Sequence, residues 1–276
     1  MNYNLIKEIM SNLKKFSVLA KLDHLKLILN QYIKEIKYLK FYILAVALVT
    51  VLSYSVYIFF NIETVSNLGA EDHFFEWLTP IFFWIATAIF FLIFLKTKNP
   101  FFLILAIAMF IGAGEEISWG QRIFGFKTPE ALNKINVQHE FTFHNIAIFQ
   151  GVDSQGKPNY GLSRLLEINF LFRLCIMFCG IVLPFCVYHI KFISRITMKV
   201  KVPIPPISIG IFFFISWVTY WALHSFILPK DSPHPYINAA GEIFECIASF
   251  IIFIVSLYFY NNQKIVPIGK DIKQII

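Results

Sequence analysis

The sequence predicts an all-α fold: a polytopic membrane bundle of about six transmembrane helices, preceded by an N-terminal amphipathic helical segment. Three observations predict it. Apolar residues make up 57% of the 276 positions and charged residues only 15%, with a mean hydropathy of +0.64, too apolar for a soluble domain. Six apolar runs approach the roughly 20 residues a spanning helix needs. The ionisable residues also sort by sign between alternate connections.

The first forty residues carry Lys7, Lys14, Lys15, Lys21, Lys26, Lys34, Lys37 and Lys40, interleaved with Leu5, Ile9, Leu13 and Phe16 at helical spacing. Residues 1–40 are therefore expected to lie as basic amphipathic helix on the anionic inner leaflet. They lack the short apolar core and small-residue cleavage site of a signal peptide. The net charge of +7 comes from such anchors, so no nucleic-acid partner is expected.

The expected membrane domain spans residues 41–260. Its runs are Phe41–Phe60, Phe74–Leu95, Phe101–Trp119, Leu166–Tyr188, Ile204–Leu228 and Ala239–Tyr260. Pro100 and the group Pro203, Pro205 and Pro206 precede two of them, where helix starts tolerate proline, while Pro80 and Pro184 predict kinks. Lys96 and Lys98, then Lys191, Arg195, Lys199 and Lys201, then the tail lysines Lys264, Lys270 and Lys273 in residues 261–276, fall on one side of a six-helix count. That side is read as cytoplasmic, with both termini inside a cell (inner) membrane. Cys175, Cys179, Cys186 and Cys246 lie in apolar runs and read as packing groups rather than disulfides or metal ligands.

Acids and histidines gather on the other side, many of them at span ends: His73 and Glu76, Glu115 and Glu116, Glu167 with Arg173, His224, and Glu242 with Glu245. Charge in lipid costs roughly 2.5–3.5 kcal/mol per residue, so these groups are expected to face a shared polar chamber open to the outside. Within GAGEEISWGQRIFG, a continuous helix would bring Glu115, Ser118, Trp119 and Arg122 into one sector, and Gly112 and Gly114 would admit a neighbouring helix. Arg173 would pair with a carboxylate, with Glu116, Glu242 and Glu245 as candidates and Glu167 as a structural ion-pair partner.

The connection from Gly120 to Ser163 is long enough to be functional. Thr128, Pro129 and Glu130 read as a helix start with the threonine as cap. NVQHEFTFHN, carrying His139, Glu140 and His144, reads as a lid returning to the bundle, and Ser163 as a cap for the fourth span. The histidines of HEFTFH are five residues apart, unlike the one-turn spacing of a zinc HExxH helix. Glu140 with His144, and His73 with Glu76, have spacings that could co-ligate. A divalent metal (zinc, manganese or iron) on His139, Glu140, His144, Glu242 and Glu245 is the cofactor expectation.

Glu115-Glu116 with Arg122, Tyr220-xxx-His224 and His234-xxx-Asn238 resemble, in three short patches, the elements of membrane-embedded CAAX-type proteases. Arg122 lies two positions further along than that pattern has it, the last two elements are crowded together, and prolines flank His234. What the resemblance implies is limited to glutamates and histidines on membrane helices activating water.

The functional expectation is a membrane hydrolase or transferase, metal-dependent or not, acting on a lipid, lipid-linked or membrane-presented substrate. Glu115, Glu116, Arg122 and His224 are its catalytic candidates, Arg122 as the holder of an anionic group. A proton- or cation-coupled transporter and a non-catalytic assembly subunit are the alternatives.

Overall fold

The computed structural model describes residues 38–70, 73–151, 157, 165–229 and 231–262. The expected amphipathic segment before Tyr38, the Ser163 cap and the basic tail lie outside the described residues. Two compact units are distinguished, Met1–Tyr42 and Ile43–Ile276; the described residues of the first are the opening of α1, where Tyr38 stacks on Tyr42.

Among the described residues the secondary structure is helical and no strand forms. Five helices are long and apolar enough to cross a membrane: α1 (Tyr38–Phe59), α3 (Phe74–Thr97), α7 (Ile168–His189), α9 (Ile207–Ile227) and α10 (His234–Asn261). A sixth span exists if α4 (Pro100–Glu116) is counted with the bent continuation Ser118–Phe124, which departs at 63°. α4 alone has 17 residues, about 25 Å at 1.5 Å per residue, short of a full hydrocarbon crossing of about 30 Å. The chain is thus a multi-span helical membrane protein, its spans close to the expected runs. Two shorter helices were not anticipated: α2 (Ile62–Leu68), capped by the Asn61 side chain, and α8 (Lys191–Val200). Lys191, Arg195 and Lys199 recur every fourth residue along α8, so what reads as bare charge in the sequence is one face of an amphipathic helix.

α3 and α4 form the tightest hairpin. Lys98 ends α3 in the left-handed conformation, its N–H donating to the Phe94 carbonyl. Asn99 then caps α4 by accepting from the Phe101 N–H at 3.1 Å, with Pro100 at the first helical position. α3 runs unbroken through Pro80, so the kink expected there does not interrupt it. α10 is the most buried helix. Its Ala239, Ala240, Ile243, Phe244, Ile247, Ala248, Ile251 and Ile254 recur at helical spacing with 3% exposure or less, and α10 packs on α2, α3 and α9.

α7 widens into a π-helical turn, Phe178–Val182, just before Pro184. Proline has no N–H for the carbonyl four residues back, that of Gly180. This same carbonyl abuts Gly210 of α9, where an added Cβ would collide with the Gly180 backbone. The break and the close crossing thus share one carbonyl.

The Asn99 side chain donates to the Lys201 carbonyl at 2.7 Å, and Lys96 reaches the Tyr260 hydroxyl at 3.0 Å. The basic connections expected on one side therefore meet at one end of the bundle. The acids and histidines discussed next belong to the other ends of the same helices.

Candidate functional site

The site begins where α4 stops. After Glu116 and Ile117, three consecutive residues take left-handed backbone: Ser118 at φ 50°, Trp119 at φ 51° and Gly120 at φ 86°. Two of them carry side chains, and each such residue costs roughly 1–2 kcal/mol, so surrounding contacts must hold the turn. Trp119 folds back over Gly114, where an added Cβ would lie 2.9 Å from the indole ring. Its Nε1 donates to Glu115 Oε1 at 2.6 Å. Ser118, fully buried, donates its hydroxyl to Glu140 Oε2 at 2.9 Å. The chain then re-enters a short helix, α5 (Gln121–Phe124).

This geometry corrects two expectations. Glu115, Ser118, Trp119 and Arg122 do not share one sector of a continuous helix, because the helix ends between them. Gly114 makes room for the chain's own Trp119 ring rather than a neighbouring helix, whereas Gly112 does face the Phe83 ring of α3 at ordinary contact distance.

Arg122, on α5, lies between two carboxylates. Its Nη1 is 2.5 Å from Glu76 Oε1 of α3. Its Nε donates to Glu140 Oε1 at 3.1 Å, and Nη2 approaches the two oxygens of Glu140 at 2.9 and 3.2 Å. The three side chains are only 14%, 12% and 19% exposed, so this forked arrangement is shielded from water and charge-assisted. It fastens α3, the α4 break and the following loop to one another.

The loop is folded on itself before it docks. The Val137 N–H donates to the Asn145 carbonyl at 2.8 Å and the Ala147 N–H to the Ile135 carbonyl at 2.9 Å, around an isolated bridge between Asn136 and Ile146. Buried Asn136 accepts from the N–H groups of Gln138 and Glu140 at 3.0 and 3.2 Å and donates to the Thr142 carbonyl at 2.9 Å. Buried Asn145 donates to Gln138 and accepts from Gln150 at 2.9 Å. Gln121 reaches across from α5, accepting from the Phe141 N–H at 2.5 Å and donating to Thr128 at 2.8 Å. Thr128 in turn donates to the His139 carbonyl at 2.7 Å, while Pro129 takes the cap position of α6 (Glu130–Asn133). The threonine therefore ties loop to loop instead of capping a helix.

Glu115 is the second fastening. One oxygen, Oε2, accepts the N–H groups of Phe143 and His144 at 2.7 and 2.8 Å and lies 3.1 Å from His144 Nδ1. With Trp119 on its other oxygen, Glu115 serves four donors. Its side chain is 12% exposed and that of His144 is 30% exposed. No described residue hydrogen-bonds His144 Nε2. A carboxylate fixing one imidazole nitrogen sets the tautomer and leaves the other for proton transfer.

Glu116 has no hydrogen bond or ion pair with the described residues. It borders a cavity of about 10 Å³ with Glu76, Trp77, Pro80, Ile117 and Arg122, about the room of one water. Glu116 also lies within electrostatic reach of Glu245, and Glu245 within reach of His144 and Arg173. Charged side chains of α4, α7 and α10 thus lie near one another, and the loop carrying Glu140 and His144 lies over Glu115 and Arg122 in place of the open chamber expected.

The remaining candidates fall elsewhere. His139 is exposed, in left-handed backbone, with Nδ1 3.1 Å from the Asn133 carbonyl and side-chain oxygens. His224 is exposed on the π turn Leu223–Ile227 and faces the Tyr220 ring. His73, exposed, precedes α3 without a side-chain capping bond. Glu140 and His144 turn to different partners, so the expected set of His139, Glu140, His144, Glu242 and Glu245 does not assemble. Among the described residues no group of three or more His, Cys, Asp or Glu is placed to hold a metal ion. Arg173 does not pair with Glu167. Its guanidinium lies over the rings of Tyr220 and Phe244, 4.5 and 5.4 Å from their centroids, while Glu167 precedes α7 beside Gly151.

Sequence reasoning missed Gln121, Asn136 and Asn145 as organisers of the site, and gave Ser118 and Thr128 other roles. The available signal was the density of amide and hydroxyl side chains around HEFTFH, each able to replace a backbone partner in a loop. No protein-family model matches the chain, and no curated protein or solved structure matches it.

Proposed function

We propose that the chain is a membrane-embedded hydrolase or transferase in which His144, oriented by Glu115, is the general base for attack on a lipid, lipid-linked or membrane-presented substrate. The observation that carries this reading is the Glu115–His144 dyad, 3.1 Å at Nδ1, with the imidazole still 30% exposed. An oriented imidazole is the usual proton acceptor near neutral pH. Glu115 becomes the orienting group, since its oxygens already serve four donors. Glu116, facing the cavity, is the second acid–base candidate. Arg122 is committed to Glu76 and Glu140, so its role is to hold the loop rather than to bind an anion.

A non-catalytic assembly role is favoured by a different observation. The clamp is almost fully satisfied internally, and the cavity admits about one water. One comparison separates the two. Lipid and lipid-linked species are profiled by mass spectrometry in cells carrying wild type, His144→Gln or His139→Gln at equal folded amount. The enzyme reading predicts that at least one species accumulates in His144→Gln and not in His139→Gln. Identical profiles in all three strains would reject it in favour of assembly.

A further inference from the structure

Arg173 is a cation in a spanning helix with no ion-paired anion among the described residues. It lies five residues past Ile168, about 7.5 Å along α7, a depth that matches the headgroup and glycerol level if the helix starts at the membrane surface. No described carboxylate is within ion-pair distance. Glu245 is in electrostatic reach only, and it shares that reach with His144. The guanidinium lies over the rings of Tyr220 of α9 and Phe244 of α10. A cation–π contact does not give the N–H donors a hydrogen-bond acceptor. Those donors make no hydrogen bond with the described residues. Half-buried donors of this kind need an anion or water.

The surroundings indicate which anion. Phe170, Leu171, Leu174 and Phe178 of α7 are exposed and apolar, so the helix that carries Arg173 presents a lipid-facing surface beside it. Tyr220 and Phe244 hold the guanidinium between α9 and α10, and its fork of N–H donors suits two parallel bonds to a phosphate. Arg122, the other arginine expected to hold an anion, is spent on Glu76 and Glu140.

We propose that Arg173, oriented by Tyr220 and Phe244, binds the phosphate of a membrane lipid headgroup between α7, α9 and α10. This site does not depend on the chemistry of His144. The test is native mass spectrometry of the purified full chain in detergent, titrated with phosphatidylglycerol, with a phosphate-free glucosyl diacylglycerol, and with inorganic phosphate as competitor. Wild type should retain phosphatidylglycerol over the glycolipid. Arg173→Gln should lose about tenfold or more of that retention, and Arg173→Lys, which keeps the charge but not the fork, should fall between. If Arg173→Gln does not fold, the lysine variant carries the comparison. Absence of competition by inorganic phosphate assigns the site to the lipid, and full competition assigns it to free phosphate. Retention unchanged in Arg173→Lys and in any folded Arg173→Gln would overturn the proposal. So would a loss in Arg173→Gln that Glu245→Gln restores, because the arginine would then only balance that carboxylate.

Discussion

Arg122 grips Glu140 across 18 residues of sequence, with Nε and Nη2 at 3.1 and 2.9 Å from the same carboxylate oxygen. The remaining Nη1 holds Glu76. Removing this cation leaves two shielded carboxylates facing each other, and breaking a buried pair from one side costs about 3–5 kcal/mol. Arg122→Gln should therefore lower the midpoint of unfolding in detergent sharply. Lys98→Gln, at the exposed α3–α4 turn, should leave it within error. Adding Glu76→Gln to Arg122→Gln should recover part of the loss, since one orphaned charge disappears. An Arg122→Gln protein as stable as wild type would show that the clamp carries no weight.

The α4 break depends on Trp119 lying over Gly114. A methyl at position 114 would come within 2.9 Å of the indole, so Gly114→Ala should push the ring out and detach its Nε1 from Glu115. Overpacking of this kind costs about 1–3 kcal/mol. Comparing fluorescence of Gly114→Ala in the wild-type and Trp119→Phe backgrounds isolates the Trp119 signal, which should shift to the red.

Ser118 separates side-chain from backbone effects. Both Ser118→Ala and Ser118→Gly lose the hydroxyl bond to Glu140, but only glycine is at ease at φ 50°. The glycine variant should be the more stable of the two by about 1 kcal/mol. That is the reverse of the order in a helix interior, where alanine leads. An ordinary helical order would mean that α4 continues through position 118.

Gly210 faces the Gly180 carbonyl with no space for a side chain. Gly210→Leu should separate α7 from α9 and reduce folded protein in the membrane, whereas Thr219→Leu, whose hydroxyl bonds only within its own helix, should be tolerated. Equal yields of folded protein from the two variants would place the helices further apart than described.

The spans were legible because hydrophobic length is a one-dimensional property: Phe74–Leu95 was expected and Phe74–Thr97 is found. The Asn99-Pro100 helix start is equally local. The site was legible only as a list of ionisable groups. Glu115, Glu116 and Arg122 are close in sequence and lie near one another in the fold, but a 100° periodicity carried through Trp119 gave the wrong faces. Nothing in the identity of Ser118 or Trp119 announces left-handed backbone. The strain there is repaid by contacts with Gly114 and Glu140, one of them 22 residues away. The pairing of Glu140 and His144 with different partners follows from the fold of the loop, which Asn136 and Asn145 set through side-chain bonds that no periodicity records. Arg173 was expected to seek a carboxylate because charge is costly in lipid. Tyr220 and Phe244 supply a second solution, which depends on two other helices arriving at the same depth.

The central claim is that Glu115 draws the loop onto the bundle and fixes His144. Hydrogen–deuterium exchange at the Phe143 and His144 amides tests it most directly, because both donate to Glu115 Oε2, at 2.7 and 2.8 Å. In wild type these two amides should exchange far more slowly than a free loop. In Glu115→Ala they should approach the free rate while the amides of α10 stay protected. Rapid exchange at both positions in the wild-type protein would contradict the account.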